Sequence, residues 1–130
     1  MPFGKESLAK LETCDPRLIT FAKAVMEGVD RGDLMTDDVA DLTILWGHRG
    51  EKDQNEAFAK GTSEKQWPNS KHNKLPSLAV DMVPYPINWA KEKLYRFEAL
   101  RRYARGVAQG LGIRIRIISW DWPHYELAVS

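Results

Sequence analysis

The sequence has little cysteine, no long apolar run and no excess of charge of either sign. Its one cysteine, Cys14, excludes an intramolecular disulfide framework and every cysteine-rich zinc motif, and we expect its thiol to be packed and inert. No stretch approaches the roughly 18 apolar residues of a membrane span, and MPFGKESLAKLE at the N-terminus lacks the apolar core of a secretory signal. Nineteen basic against eighteen acidic residues leave a net charge of +1, too small to draw the chain to nucleic acid or an anionic membrane. We therefore expect a soluble chain made in the cytoplasm.

The length and the pattern of the chain predict one α+β domain. With 130 residues, 43% of them hydrophobic, the chain has the size of a single globular domain. No repeat, low-complexity tract or linker divides it, so we expect one domain over residues 1–130. Helical and strand patterns mix without regular βαβ alternation, which favours a small, mostly antiparallel sheet packed with helices.

Three segments are predicted to be helical. Asp15 before Pro16 suits an N-cap and a first helical position, and apolar residues at helical spacing extend this helix to about residue 28. A second, short helix should end at Gly61. The strongest helix should begin after Asn88 as its N-cap and end near Gly112.

Three other segments are predicted to be strands. They lie near 40–46, 79–83 and 113–117, where strand-forming residues are frequent. Residues 113–117 alternate cleanly, with the isoleucines toward the core and Arg114 and Arg116 outward. Residues 62–78 hold two prolines, three serines and two asparagines, so we expect a long irregular loop there, of the kind that is often functional.

The histidines indicate a metal site. A catalytic zinc ion usually takes three protein ligands and leaves a fourth position for water, and His72, Asp81 and His124 would form such a site. His72 and Asp81 are nine positions apart, a step that could span roughly 30 Å if extended, so the break at Pro76–Ser77 must fold the chain back. The chain lacks HExxH, and by spacing alone ordinary hydrogen-bonded histidines are the more frequent alternative.

Two carboxylates near His124 are candidates for the general base. Asp121 lies three residues before His124, with the intervening Pro123 restricting the backbone. A carboxylate beside a metal, but not bound to it, can take a proton from the attacking water. Glu126 is the competing candidate, and a structural role for it is equally consistent with its position.

Three motifs carry a family resemblance. SKHNKLPSLAVD at 70–81 resembles S-x-H-x(n)-A-x-D, and WDWPHYEL at 120–127 resembles D/E-x-x-H. GHRG at 47–50, followed by Gln54, resembles G-x-R-x(4)-Q. Together they resemble the zinc D-Ala-D-Ala carboxypeptidase and dipeptidase family, which includes phage endolysins that act as L-alanyl-D-glutamate peptidases. The resemblance implies a Hedgehog/DD-peptidase-like fold and a zinc-dependent peptidoglycan peptidase.

The resemblance also implies roles for individual residues. It implies that one catalytic zinc ion is bound by His72, Asp81 and His124. It implies that Asp121 is the catalytic base and that Arg49 contacts the substrate and stabilises the oxyanion on the scissile carbonyl. Ser70 and Gln54 match motif positions, and we expect them either to bind and orient the substrate or to support the residues that do.

The chain departs from the family pattern at several positions. The step from His72 to Asp81 is longer than in the common form of the motif, and His48 stands where an aromatic residue is more usual. His48 could line the substrate cleft or be a packed, hydrogen-bonded histidine. The expected base is an aspartate, Asp121. Aspartate is the form associated with the phage L-alanyl-D-glutamate peptidases, whereas the D-Ala-D-Ala enzymes more typically use glutamate. This favours an endopeptidase, with a D-Ala-D-Ala carboxypeptidase on the same metal site as the alternative.

The resemblance predicts how such an enzyme would act. We expect a phage lysin that cleaves the L-alanyl-D-glutamate bond of peptidoglycan, without a separate cell-wall-binding domain. It would be a monomer made in the host cytoplasm, with no stable membrane insertion. A holin would then let it reach the periplasm or cell wall. We expect no nucleic-acid partner.

Two other classes of function compete with this interpretation. A nucleic-acid-binding module could use Arg114, Arg116 and the arginine-bearing helix, and its affinity would fall steeply with salt. A catalytically inactive relative could serve as a structural protein. The arginines of that helix are expected to form a solvated face: Arg101, Arg102 and Arg105. The tryptophans beside the proposed ligands are equally consistent with a cleft wall and with the core: Trp67, Trp120 and Trp122.

Overall fold

The computed structural model describes residues 2–128, which form four α-helices and a four-stranded antiparallel sheet. The strands are β1 (Asp41–Trp46), β2 (Ala79–Tyr85), β3 (Ile115–Ile117) and β4 (His124–Leu127), in the spatial order β1-β2-β4-β3. The α-helices are α1 (Lys5–Leu11), α2 (Pro16–Arg31), α3 (Glu51–Ala59) and α4 (Leu94–Leu111). Short 3-10 helices cover Lys71–Asn73 and Lys91–Lys93. The predicted α+β class is confirmed.

The ends of the second and third helices follow the predicted signals. The Asp15 carboxylate accepts a hydrogen bond from the backbone N–H of Arg17 at 2.9 Å, as an N-cap should. Helix α2 runs three residues beyond the predicted end and stops at Gly32, whose φ is +75°. Gly61, with φ of +77°, follows α3. Glycine adopts this left-handed conformation without the steric cost of a Cβ.

The predicted helices differ from the structure in two ways. Helix α1 has no counterpart among them, and the predicted start of the last helix was wrong. Asn88 is not the N-cap of α4: its side chain accepts a hydrogen bond from the backbone N–H of Ala90 at 2.9 Å, which closes a local turn instead. The 3-10 helix at Lys91–Lys93 follows, and α4 begins at Leu94.

The core lies on one face of the sheet. Val80 and Met82 of β2 and Tyr125 and Leu127 of β4 belong to the hydrophobic core, where the ring of Tyr125 packs against Phe21 of α2 at 5.8 Å between centroids. Cys14 is also buried there. Because side chains alternate along a strand, the residues between them lie on the opposite face. That face carries Asp81, His124 and Glu126.

The connection after β1 is shaped by a close approach to α1. A Cβ on Gly47 would lie 2.2 Å from the carbonyl oxygen of Lys10 and 2.4 Å from the hydroxyl of Thr13, so only glycine fits. The Thr13 hydroxyl also accepts a hydrogen bond from the backbone N–H of His48 at 2.8 Å. These contacts hold the GHRG turn against the end of α1 and the residues that follow it. None of the helices in residues 2–128 combines the length and hydropathy that crossing a membrane requires.

Candidate metal centre and its cleft

Strand register brings two of the predicted ligands together. Asp81 of β2 and His124 of β4 are direct partners in the antiparallel pair, although 43 positions separate them in the sequence. Directly opposed residues of such a pair lie on the same face with their Cβ atoms about 5 Å apart. The third ligand must therefore arrive from outside the sheet.

His72 reaches the sheet because the preceding loop folds back. The Ser70 hydroxyl accepts a hydrogen bond from the backbone N–H of His72 at 3.2 Å, and the Ser70 N–H donates to the side chain of Asn73 at 3.0 Å. Farther along, the N–H of Leu78 donates to the carbonyl oxygen of Lys71 at 3.1 Å. This bond closes the loop, as the predicted break at Pro76–Ser77 required.

The three predicted ligands converge on one point. His72 Nε2 lies 3.0 Å from Asp81 Oδ1 and 3.2 Å from His124 Nδ1, and His124 Nδ1 lies 3.2 Å from Asp81 Oδ1. All three residues are at least nine-tenths buried. Bonds of about 2.0–2.1 Å in a tetrahedral zinc site imply ligand atoms about 3.3 Å apart. This group could hold a metal ion.

The outer hydrogen bonds of the two histidines determine which atoms face that point. His72 Nδ1 donates to the carbonyl oxygen of Gly47 at 2.8 Å, and His124 Nε2 donates to Glu126 Oε1 at 2.8 Å. Each neutral ring therefore turns the lone pair of its other nitrogen toward Asp81. Three acceptors at such distances repel one another unless a cation or a proton lies between them.

The pKa values of His124 and Asp81 also indicate that this site favours a positive charge. Burial lowers the pKa of His124, but hydrogen bonds to Asp81 and Glu126 outweigh it and raise the pKa to about 9. Burial would raise the pKa of Asp81, but the two facing histidines hold it far below its ordinary value. The site thus keeps its carboxylate ionised and takes up a positive charge, which a metal ion can supply in place of a proton.

Asp121 stands beside the ligands. Its Oδ2 lies 3.9 Å from His124 Nδ1, beyond bonding distance, and its side chain is two-thirds buried. Burial raises the pKa of Asp121, with a further contribution from the charge of Asp81. A carboxylate made more basic in this way is suited to accept a proton near neutral pH.

Arg49 lies beside Asp81. Its guanidinium is 3.5 Å from Asp81 Oδ2, donates to Gln54 Oε1 at 3.2 Å and lies 4.7 Å from the ring centre of Trp46. The backbone N–H of Arg49 also donates to the carbonyl oxygen of His72 at 2.8 Å. Arg49 is thus held from several sides beside the ligands.

The other residues that the motifs singled out lie near this centre, but they differ in whether they border the cavity beside the ligands. Gln54 is fully buried, and its amide contacts Arg49, Asn73, Ser63 and the Lys65 carbonyl oxygen. It lines neither of the two cavities described below. Ser70 borders the cavity beside the ligands. His48 is hydrogen-bonded through Nδ1 to the carbonyl oxygen of Lys74 at 2.9 Å and lies outside the cleft.

Two basic residues have positions that the sequence analysis missed. Lys71, which was not considered, contacts Glu126 Oε2 at 3.1 Å and the Leu127 carbonyl oxygen at 2.8 Å. Arg101 was predicted on a solvated face, and this was wrong: it is 7% exposed and lies 4.3 Å from the ring centre of Trp122. Its three hydrogen bonds go to backbone carbonyl oxygens of residues 118, 119 and 121. Arg102 and Arg105 are exposed, as predicted.

The ligands open onto a cleft formed by two adjoining cavities, of about 240 Å³ and about 540 Å³. Five residues line both cavities and form the junction between them: Arg49, Thr62, Asp81, Trp120 and Asp121. Trp120 and Trp122 are therefore cleft-wall residues, whereas Trp67 lines neither cavity.

Three converging candidate ligands, a cavity beside them and the two-thirds-buried carboxylate of Asp121 define a candidate metallohydrolase centre. The model of the family described as phage L-alanyl-D-glutamate peptidase matches residues 1–126. The chain belongs to this family and is a peptidoglycan peptidase. The motif resemblance is confirmed by this match.

A solved structure shares the fold. The crystal structure of the Serratia marcescens L-Ala D-Glu endopeptidase ChiX matches with a TM-score of 0.72 and 21% sequence identity. The match covers 98% of this chain and 90% of that chain. No curated protein matched the chain.

Proposed function

We propose that this chain is a zinc-dependent endopeptidase that hydrolyses the L-alanyl-D-glutamate bond of the peptidoglycan stem peptide. The observation that carries the proposal is the convergence of His72 Nε2, Asp81 Oδ1 and His124 Nδ1 within 3.2 Å of one another. The family membership and the endopeptidase described for the Serratia fold neighbour support the same reaction.

The donor set is the main reason to propose zinc. Two imidazoles and one carboxylate are a set that zinc accepts in catalytic sites, whereas magnesium and calcium prefer oxygen ligands alone. His72, Asp81 and His124 would hold the ion, and all three line the cleft. When bound, zinc supplies a Lewis acid and lowers the pKa of a coordinated water.

In this proposal Asp121 acts as the general base. Its carboxylate lies close to the ligands without replacing one of them, and its raised pKa favours proton uptake. Asp121 accepts a proton from the attacking water and passes it to the leaving amine. Glu126 is assigned a positioning role instead, because its Oε1 is engaged by His124 and its Oε2 by Lys71.

Arg49 stabilises the negative charge that develops on the scissile carbonyl oxygen. A guanidinium that is already held in place has little reorganisation to undergo when this charge appears, which is the condition for effective oxyanion stabilisation. Gln54 contributes by holding Arg49 and Asn73 through one oxygen, at 3.2 Å and 3.0 Å. Ser70 fixes the backbone of His72 and borders the cleft.

The biological setting proposed here is that of a phage lysin. The chain would act as one peptidase domain and as a monomer, made in the host cytoplasm and released to the periplasm or cell wall through a holin. The family membership supports action on the wall. The near-balanced charge of +1 gives no reason to propose a nucleic-acid partner.

The proposal is tested by digesting purified peptidoglycan with the protein, with and without a chelator, and analysing the fragments by mass spectrometry. We expect new D-glutamyl amines on the released peptides and new L-alanyl carboxyls on the glycan. Chelation should abolish both, and added zinc should restore them. Release of D-Ala alone would establish a carboxypeptidase instead, and metal-independent release would refute zinc catalysis.

A further inference from the structure

The cleft has two unlike halves that meet at the candidate metal centre. The cationic half is the cavity of about 240 Å³, whose charged side chains outside the junction are three basic and two acidic: Lys65, Lys71, Arg116, Glu64 and Glu126. The aromatic half is the cavity of about 540 Å³, whose tryptophans outside the junction are Trp46, Trp89 and Trp122. A substrate that spans the centre must therefore place chemically different groups on its two sides.

Two basic residues of the cationic half, Lys65 and Arg116, have no counter-charge within residues 2–128, and of these only Arg116 lies on the sheet. It pairs in register with Glu126, which places it on the ligand-bearing face of the sheet. Glu126 is already engaged by Lys71 and His124. Within residues 2–128 the Arg116 guanidinium makes no ion pair or hydrogen bond. A guanidinium in this position can bind a carboxylate with two parallel hydrogen bonds.

The aromatic half presents open ring faces. Trp89 stacks on Phe97 with 5.0 Å between centroids and 21° between ring planes, yet it is 51% exposed. One face of its indole ring therefore rests on a buried residue and the other is free. Trp120, at the junction, is 60% exposed. Exposed aromatic rings gathered in one cavity mark a ligand-binding surface.

The charges of the aromatic half make it unsuited to an acidic ligand. Outside the junction its charged side chains are two carboxylates and one ammonium: Asp53, Glu56 and Lys60. Their balance is negative, so an anionic group gains nothing there. A ring with apolar C–H faces and hydroxyl groups, such as a pyranose sugar, fits both the tryptophans and these carboxylates.

The substrate of the proposed function has the same asymmetry. The scissile nitrogen belongs to D-glutamate, which continues the stem through its γ-carboxyl group and keeps a free α-carboxylate one carbon atom away from that nitrogen. On the other side, the L-alanyl amine is joined through a lactyl group to muramic acid. One side of the bond thus carries an anion, and the other an uncharged sugar.

We propose that the substrate lies across the centre in one direction, with the muramyl sugar on Trp89 in the aromatic half and the D-glutamyl α-carboxylate on Arg116. This inference rests on the proposed function and adds the residues that choose the substrate. Arg116 binds the D-glutamyl α-carboxylate next to the scissile bond, and Trp89 binds the muramyl sugar farther from it.

The test uses four soluble substrates that share the stem L-Ala-γ-D-Glu-L-Lys. The N-terminus carries either N-acetylmuramic acid or a plain acetyl group, and the D-glutamyl α-position is either a carboxylate or a carboxamide. Comparing kcat/KM among the four gives a sugar preference and a carboxylate preference for each variant. The wild type should show both, each on the order of tenfold.

Each variant should lose one preference and retain the other. Trp89→Ala should abolish the sugar preference and keep the carboxylate preference, and Trp89→Tyr should retain both because it keeps an aromatic face. Arg116→Gln should abolish the carboxylate preference alone. Tyr85→Ala and Arg114→Gln are matched controls, since these exposed residues line neither cavity and should leave both preferences unchanged.

The outcomes separate this inference from the proposed function. If the wild type cleaves all four substrates at equal rates, the inference is overturned while the endopeptidase activity stands. If Trp89→Ala removes the carboxylate preference and Arg116→Gln the sugar preference, the direction is the opposite one. If none of the four is cleaved at the L-alanyl-D-glutamate bond, the proposed function fails first. Ratios within one variant are insensitive to a loss of folded protein.

Discussion

The guanidinium of Arg101 donates a hydrogen bond to the backbone carbonyl oxygen of Asp121 at 2.8 Å. Its other two bonds go to Ser119 at 3.0 Å and Ile118 at 2.9 Å, so a buried residue of α4 holds the whole turn that precedes β4. Because the proposed base lies on this turn and Arg101 lines neither cavity of the cleft, we expect Arg101 to position Asp121 without contacting the substrate.

Arg101→Lys should therefore lower turnover while metal content stays unchanged. A lysine ammonium is a compact point charge and cannot reproduce the guanidinium fork that serves three carbonyl oxygens. We expect kcat to fall about tenfold or more, since a small misplacement of a catalytic group is costly. Steady-state kinetics beside zinc analysis checks this. Arg102→Lys, on the exposed face of the same helix, is the control, and an equal loss there would remove the positioning role.

His72→Ala and His124→Ala should each abolish both metal binding and peptidoglycan hydrolysis. Each variant removes one of three converging donors, and two donors rarely retain zinc. Metal content after dialysis, measured by atomic emission, tests this directly. His48→Ala is the matched control, because the third histidine is bonded to the Lys74 carbonyl oxygen and should leave zinc in place. Full zinc occupancy in either ligand variant would exclude that residue from the site.

Asp121→Asn should retain zinc and lose most turnover. The amide has nearly the shape of the carboxylate but cannot accept the proton, and general-base catalysis contributes about a hundredfold or more. Single-turnover rates on a soluble stem peptide, with zinc content measured on the same sample, give the answer. Unchanged turnover would move the base to another group, and Glu126 would be the next to test.

Glu126→Gln and Lys71→Met should weaken zinc binding. Glu126 orients His124 through a 2.8 Å hydrogen bond, and Lys71 in turn holds Glu126 at 3.1 Å. Loss of such an outer partner typically costs about 10- to 100-fold in metal affinity. Competition with a chromophoric chelator measures the dissociation constant independently of activity. Lys74→Met, an exposed lysine of the same loop, should bind zinc normally.

Arg49→Ala should leave zinc content unchanged and lower kcat/KM. The loss should be about 10²- to 10³-fold, the range for removing one donor to a developing oxyanion. Arg49→Lys should recover little, because a compact ammonium lacks the planar fork with which the guanidinium reaches Asp81 and Gln54 in fixed directions. Kinetics on the same soluble peptide test both variants. A rate equal to that of the wild type would remove Arg49 from the mechanism.

The local elements were largely predictable. The N-cap at Asp15, the glycine after α3 and the alternation of residues 113–117 are all properties of neighbouring residues, and each is present in the structure. The prediction failed at Asn88, where the capping signal is real but closes a turn at Ala90. A side-chain acceptor specifies a local bond and not how far the helix continues.

The three residues that converge were predictable from motif order, but the contacts that support them were not. Lys71, Gln54 and Arg101 act through partners between 5 and 56 positions away, and no periodicity in the sequence reports such pairs. Arg101 looks like Arg102 and Arg105 in the sequence. Only the packing of α4 beside the 118–121 turn makes it a buried residue.

The sequence alone determined the fold class and the donors of the candidate metal site, because local propensity and the chemistry of His and Asp are properties of the residues themselves. The tertiary structure decided which lone pairs face one another and which charges remain unpaired. It did so through strand register, which sets Asp81 against His124 and Arg116 against Glu126. A register depends on all the contacts of a sheet at once, and a shift by one residue would turn every one of these side chains to the other face.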